Sequence, residues 1–243
     1  MTEPITLYAV HGSHPCLTAE AALKLKGLPY RRVDLPYGLS PFMQLARFGK
    51  RTVPGLTIGT QKVSGSRLIL RALDGLEPDP PLLPADRGQR AAVESADLWG
   101  DEVFQEHARW IAILGILGVP SAAPSYGSRS LPPIPEWALE PVTRALSGVE
   151  MRLLGHPPER VREEYLPALP GSLDHIDGLI ADGVIGGDQA NVADLQIAPS
   201  VRLLQTMEDL REAIDARPCG ALARRIVPDY DGSLPRGVID SPL

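Results

Sequence analysis

The stretch Ile5-Thr6-Leu7-Tyr8-Ala9-Val10-His11-Gly12-Ser13-His14-Pro15-Cys16 decides how the whole chain is read. Its first half alternates, with Ile5, Leu7 and Ala9 on one side, which is the period of a half-buried strand. His11-Gly12 then supplies a turn, and Pro15 stands in the first turn of a helix, where a proline is tolerated. Good helix formers continue through Ala19 to Lys26, and Gly27 followed by Pro29 stops them. The unit is strand, loop and helix, with hydroxyl, imidazole and thiol groups concentrated at the join.

Outward from this unit, Tyr30 to Leu35 reads as a second strand, and a helical crossover favours its parallel pairing with the first. A short helix is expected around Phe42 to Phe48. Thr52-Val53-Pro54 leads into a hairpin pattern, Gly55 to Ile58, a turn at Gly59-Thr60, and Gln61 to Val63. Ser66 to Leu76 reads as helix. The order βαβ(α)ββα is that of an α/β thioredoxin-like fold. Glu77 to Asp86 then carries four prolines in ten positions, a stiff connection that cannot continue a helix. The expected division is an α/β domain at 1–78, a linker at 79–86 and an all-helical domain at 87–243.

In the second part, Ala92, Ala96, Trp99, Val103, His107 and Trp110 form an apolar stripe at steps of four and three within Arg87 to Leu117. Further helices are expected at Glu136 to Leu154, Gly171 to Ala181, Val192 to Leu204, Asp209 to Arg217 and around Leu222, separated by Pro- and Gly-rich breaks. Ser121 to Pro135 reads as a long surface loop or lid, and the tail after Pro228 as extended over the surface. Asp101-Glu102 and Glu163-Glu164 read as solvated helix faces.

Bulk properties narrow the function. At 243 residues the chain exceeds what one core usually serves, and 44% hydrophobic residues supply material for two. A formal charge of -6 argues against nucleic acid or an anionic membrane as partner. Met1-Thr2-Glu3-Pro4 lacks a basic, apolar leader pattern, and Trp110 to Pro120 is too short to span a bilayer, so a cytoplasmic protein is expected. Cys16 and Cys219 make no disulfide framework, and no Cys/His cluster has zinc-ligand spacing; no metal is expected.

The chemistry concentrates at Ser13-His14-Pro15-Cys16. A helix N-terminus presents unpaired N–H groups and positive potential, which stabilise a thiolate, and the Ser13 hydroxyl is placed to donate to one. Ser-x-Pro-Cys after a first strand resembles the active-site loop of serine-type, theta-like members of the cytosolic glutathione S-transferase family. It is also similar to the C-x-P-C loop of thioredoxins with the first cysteine replaced. The resemblance implies that Ser13 is the catalytic hydroxyl, and that Val53, before a cis Pro54, pairs through its backbone with the cysteinyl part of the thiol. Ser64-Gly65-Ser66 resembles the Glu-Ser or Gln-Ser motif for the γ-glutamyl carboxylate; Ser66 matches, whereas Gly65 lacks the usual side chain, leaving another low-molecular-weight thiol open as cosubstrate. Asn191-Val192-Ala193-Asp194 fits a capping box and resembles the corresponding box of that family's helical domain.

Other residues carry two readings each. Ser13 is a helix cap or a catalytic hydroxyl. Cys16, one turn into the helix, is a small buried hydrophobe or the nucleophile of thiol exchange. His14 occupies the loop or contacts the thiol. His107 and Trp110 serve the core or, by resemblance, the electrophile pocket, with Tyr126 and Arg109 as further candidates there. The resemblance implies glutathione as cosubstrate, an electrophilic small molecule as partner and a homodimer. Two alternatives stand beside conjugation: glutathione-dependent isomerisation or thiol-disulfide reduction, and a non-catalytic binding or scaffolding role.

Overall fold

A computed structural model describes residues 3–131 and 135–243. Met1 and Thr2, and the 132–134 part of the expected loop, lie outside the described residues. Four strands form one sheet in the order β2-β1-β3-β4, with β1 at Ile5–Ala9, β2 at Tyr30–Asp34, β3 at Gly55–Ile58 and β4 at Gln61–Ser64. β1 and β2 run parallel, whereas β1 with β3 and β3 with β4 are antiparallel. The alternation of β1 does what its sequence predicts: Ile5, Leu7 and Ala9 are buried, and they meet Leu56 and Ile58 of β3. Helices α1 (His14–Leu25) and α3 (Ser66–Leu76) cover one face through Ala19, Leu23, Ile69, Leu70 and Leu73. Helix α2 (Ser40–Phe48) lies between β2 and β3 in the chain. This is the expected thioredoxin-like arrangement, and all later elements are helical.

The connector is docked rather than free. Lys26, at the end of α1, donates to Asp74 Oδ1 at 2.7 Å and to the carbonyls of Glu77 and Pro80, each at 2.6 Å. Leu82 is fully buried and its carbonyl accepts from Val192 N.

Helix α4 (Arg87–Trp99) passes through a π-helical turn at Gly100–Phe104 into α5 (Gln105–Gly118). The buried face here differs from the expected stripe. Ala92 and Val103 are exposed, while Val93, Ala96, Asp97, Gly100, Phe104, Ala108 and Ile111 face inward. Two causes act: the wide turn adds a residue to the period, and Asp97 is drawn inward by Arg67 and Arg71 of α3, each 2.8 Å away. Pairing of this kind is what allows a carboxylate on a core face.

Beyond α5 the expected surface loop is instead packed structure. A tight turn at Pro120–Ala122 leads into α6 (Ala123–Gly127), where Tyr126 is buried, and Ser130 beyond it is 1% exposed. Helices α7 (Glu136–Leu153), α8 (Pro158–Arg160) and α9 (Leu166–Ala181) follow; α8 and α9 join through another π-helical turn, and α9 runs through Pro170, where a break was expected. Helix α10 (Val192–Leu204) is buried along its whole length and packs against α1, α4, α5 and α12 (Pro218–Ile226), with α11 (Glu208–Asp215) between. Its start is the capping box read from sequence. Asn191 Oδ1 accepts from the N–H groups of Ala193 and Asp194, and Asp194 accepts from Asn191 N at 2.9 Å and Gly186 N at 2.7 Å. Among the described residues no single helix is long and apolar enough to cross a membrane.

Candidate functional site

Sheet register brings three segments together. Tyr8 of β1 pairs with Gly55 of β3, and Gly55 pairs with Ser64 of β4. The chain leaving β1, the chain entering β3 and the chain leaving β4 therefore lie at one end of the sheet, the end that carries the Ser13 loop, Val53-Pro54 and Gly65-Ser66. The Val53-Pro54 bond is cis, as expected. Gly65 N donates to the Pro54 carbonyl at 2.9 Å, and Gly65 adopts φ +93, a backbone that glycine accepts readily.

Ser13 is the N-cap residue of α1, yet its side chain makes no capping hydrogen bond. The hydroxyl is thus not consumed by the helix start. Cys16 is 1% exposed. Burial pushes its thiol up to about 11, against hydrogen bonding from the Ser13 side chain and the Val10 backbone. At neutral pH this leaves roughly one molecule in ten thousand as thiolate. His14 is buried against α10, its Nδ1 sharing a 2.9 Å hydrogen bond with Ser200 Oγ, and Nε2 has no partner among the described residues. Burial and then the Arg109 charge hold its pKa well below the ordinary value, so the ring is neutral at pH 7.

Ser66 heads α3, whose first turn has no side-chain cap, so its leading N–H groups remain open to an acceptor. The Ser66 hydroxyl donates to Asp101 Oδ1 at 3.4 Å, and Gln196 Nε2 donates to the same oxygen at 3.0 Å. Burial raises the pKa of Asp101, with the nearby Asp97 charge adding to it. Asp101 is therefore not the solvated residue its pairing with Glu102 suggested. Spacing held a signal: Asp97 and Asp101 lie four apart, on one helix face, opposite Ser66, Arg67 and Arg71.

The residues assigned to the electrophile pocket separate into two groups. His107 stacks on Tyr165 with ring centroids 4.6 Å apart, and Trp110 stacks on His156 at 4.5 Å. The Tyr165 hydroxyl donates to Glu106 at 3.0 Å, completing an aromatic cluster between α5 and the α8–α9 region. Tyr126 stands apart, bonded through its hydroxyl to Thr206 at 2.7 Å. Between His107 and Trp110 in sequence, Arg109 points elsewhere and donates to Gln105 Oε1 at 3.0 Å. Its electrostatic neighbours include Glu106, Glu150, Tyr37 and Asp101.

The β1–α1 loop is held from outside by two later segments. Ser130 Oγ accepts from His11 N at 2.8 Å, and His11 Nε2 lies 2.8 Å from Asp231. The Tyr230 hydroxyl donates to the Gly12 carbonyl at 2.7 Å. Residues 230–239 thus form a strap, anchored further on where Asp209 accepts from the N–H groups of Gly237, Val238 and Ile239. A cavity of about 150 Å³ opens between this strap and α1, with Ser13, Leu17, Lys24 and Arg129 in its wall. Neither Val53 nor Ser66 lines that cavity. Among the described residues no cluster of His, Cys, Asp or Glu could hold a metal ion.

A thioredoxin-like sheet bearing a helical bundle defines the class of fold. Residues 7–81 match the family model described as glutathione S-transferase, N-terminal domain. Among curated proteins none matches the sequence. Solved structures extend the likeness in fold to more than nine tenths of the chain. Glutathione S-transferase-I bound with lactoylglutathione is 17% identical, covering 93% of this chain and 99% of that one at a TM-score of 0.62. The beta-etherase LigF from Sphingobium sp. strain SYK-6 is 20% identical, with coverages of 93% and 99% and a TM-score of 0.60. FzlA from C. crescentus is 20% identical, with coverages of 99% and 96% and a TM-score of 0.57. The family match is thus confined to the amino-terminal part of the chain, and the solved structures show that the chain as a whole shares the fold of these glutathione S-transferase structures.

Proposed function

We propose that the protein conjugates a small thiol, glutathione, to an electrophilic small molecule. The observation that carries this reading is the sheet register that brings the Ser13 loop, Val53-Pro54 and the start of α3 to one end of the sheet. In this reading Ser13 stabilises the thiolate, the Val53 backbone pairs with the cysteinyl unit, and Ser66 with the open amides of α3 holds the γ-glutamyl carboxylate. Thiolate formation and proximity supply most of the acceleration. Two structures with this fold contain bound glutathione, one from Sulfitobacter and one of the theta class from Xanthomonas axonopodis pv. citri, which supports the choice of thiol.

The burial of Cys16 favours Ser13 over the cysteine as the working group. We further propose a cytoplasmic homodimer divided at 79–86. The exposed apolar stripe Leu146, Val149 and Leu153 on α7 gives a second copy something to cover.

The test combines calorimetric titration with glutathione and initial rates on an activated aryl halide. Ser13→Ala is expected to lower the conjugation rate at least a hundredfold, Cys16→Ala to leave it within a few-fold, and Ser66→Ala to weaken glutathione binding about tenfold. The reverse order of the first two variants selects thiol exchange. No heat with any small thiol selects the scaffolding role.

A further inference from the structure

Arg109 is unusual among the cations of this chain. It is half-buried on α5, its charge reaches His14 and Tyr37 of the α/β part, and among the described residues no carboxylate lies within 4 Å of it. Among the described residues, each acid whose charge reaches it is already engaged. Glu106 is taken by Tyr165, Glu150 accepts from the Tyr37 hydroxyl at 3.0 Å, and Asp101 is shared by Ser66 and Gln196. The only hydrogen bond that Arg109 makes among the described residues is to the neutral Gln105 Oε1. A buried cation is normally paired, because desolvation without a counter-charge is costly.

Gln105 supplies an independent observation. Because a guanidinium only donates, the oxygen of the Gln105 amide must be the atom that faces it, which fixes Nε2 as a donor. That nitrogen is sealed from solvent and has no partner, in a side chain that belongs to a residue 7% exposed. The His14 Nε2 atom, on the neighbouring α1 surface, is likewise buried and unpartnered. A planar fork of donors, an idle amide N–H beside it and no carboxylate within 4 Å among the described residues together describe an acceptor site for a carboxylate. The same region reaches the thiol site, since Asp101 contacts both Ser66 and the field of Arg109.

We propose that Arg109, with Gln105 beside it, binds a carboxylate carried by the electrophile, so that the preferred second substrates are anionic. This rests on the thiol-conjugation reading, and it names the class of molecule that the helical part selects. The glycyl carboxylate of glutathione is the other source of the same chemistry, and the experiment separates the two.

The first arm needs no catalysis: calorimetric titration of the thiol-free protein with 3-nitrobenzoate and with 3-nitrobenzamide. The acid is expected to bind at least tenfold more tightly than the amide, Arg109→Gln to erase that difference, and Arg109→Lys to keep part of it. The second arm titrates glutathione into the same variants, with the affinity expected within twofold of the parent. Glu150→Gln removes a competing charge without touching the fork, and is expected to strengthen 3-nitrobenzoate binding two- to fivefold; it keeps the test valid should Arg109→Gln fail to fold. In the third arm, 4-chloro-3-nitrobenzoate and its amide are compared as substrates, and the acid is expected to show the lower KM by about tenfold with similar kcat. Equal binding of acid and amide overturns the inference, as does an Arg109→Gln effect confined to glutathione. Failure of glutathione to bind, with the acid still preferred in the first arm, sinks the conjugation reading and leaves the carboxylate site standing.

Discussion

Replacing Lys26 by methionine tests how the connector is held. The ammonium is fully buried and serves three acceptors, Asp74 Oδ1, Glu77 O and Pro80 O. Asp74 also accepts from Leu82 N at 2.9 Å, so a single cluster ties the end of α1 to the end of α3 and to the chain between the two parts. Methionine fills a similar volume but leaves a carboxylate and two carbonyls without their donor. Breaking one partner of a buried pair costs about 3–5 kcal/mol. For a chain of this size each kcal/mol lowers Tm by roughly 2–4 °C, giving an expected fall of about 6–20 °C. Differential scanning calorimetry with matched urea titrations measures it. Adding Asp74→Leu should return part of the loss, since removing both charges avoids the orphaned acid. A fall under about 2 °C, or a double variant worse than the sum of the singles, refutes the view that this ammonium holds the connector by charge and hydrogen bonding.

Gly12→Ala should be poorly tolerated: residue 12 has φ +79, and an added Cβ would overlap the Tyr126 carbonyl, so urea titration is expected to show a loss of at least about 2 kcal/mol. Alkaline stability gives a test with a defined sign. Cys16 rises from an ordinary 9.0 to about 11 in the folded protein, so its contribution is complete below pH 9 and disappears as pH climbs through about 11. Urea midpoints between pH 8 and 11 should therefore fall more steeply for the parent than for Cys16→Ala, by an amount worth about 2–3 kcal/mol across the range; parallel curves would show that the thiol is not held protonated by burial.

Local patterns that needed no distant partner were readable from the residues. The alternation of Ile5, Leu7 and Ala9, the Gly27 stop and the Asn191 capping box all depend on neighbours in sequence, whereas the cis bond at Pro54 was legible only through the family resemblance. What escaped depends on partners far along the chain. Asp97 is inward because Arg67 and Arg71 arrive from α3, and Asp101 because Ser66 does. Tyr126 and Ser130 are ordered because Thr206 and His11 meet them across 80 and 119 positions, so a segment rich in proline and serine packs instead of looping outward. The π-helical turn at Gly100–Phe104 shifts the inward face of α5, which is why the stripe that passed through Val103 missed Phe104 and Ala108. Arg109 was only one candidate among neighbours, since nothing local reveals which acids will be engaged elsewhere.

The strap over the β1–α1 loop has a consequence for biogenesis. The loop that carries Ser13 leaves the ribosome well before its clasp, since the Tyr230 hydroxyl that holds its neighbour Gly12 arrives 218 positions later. The sheet can therefore assemble cotranslationally, while the β1–α1 loop stays unclasped until Tyr230 has been translated.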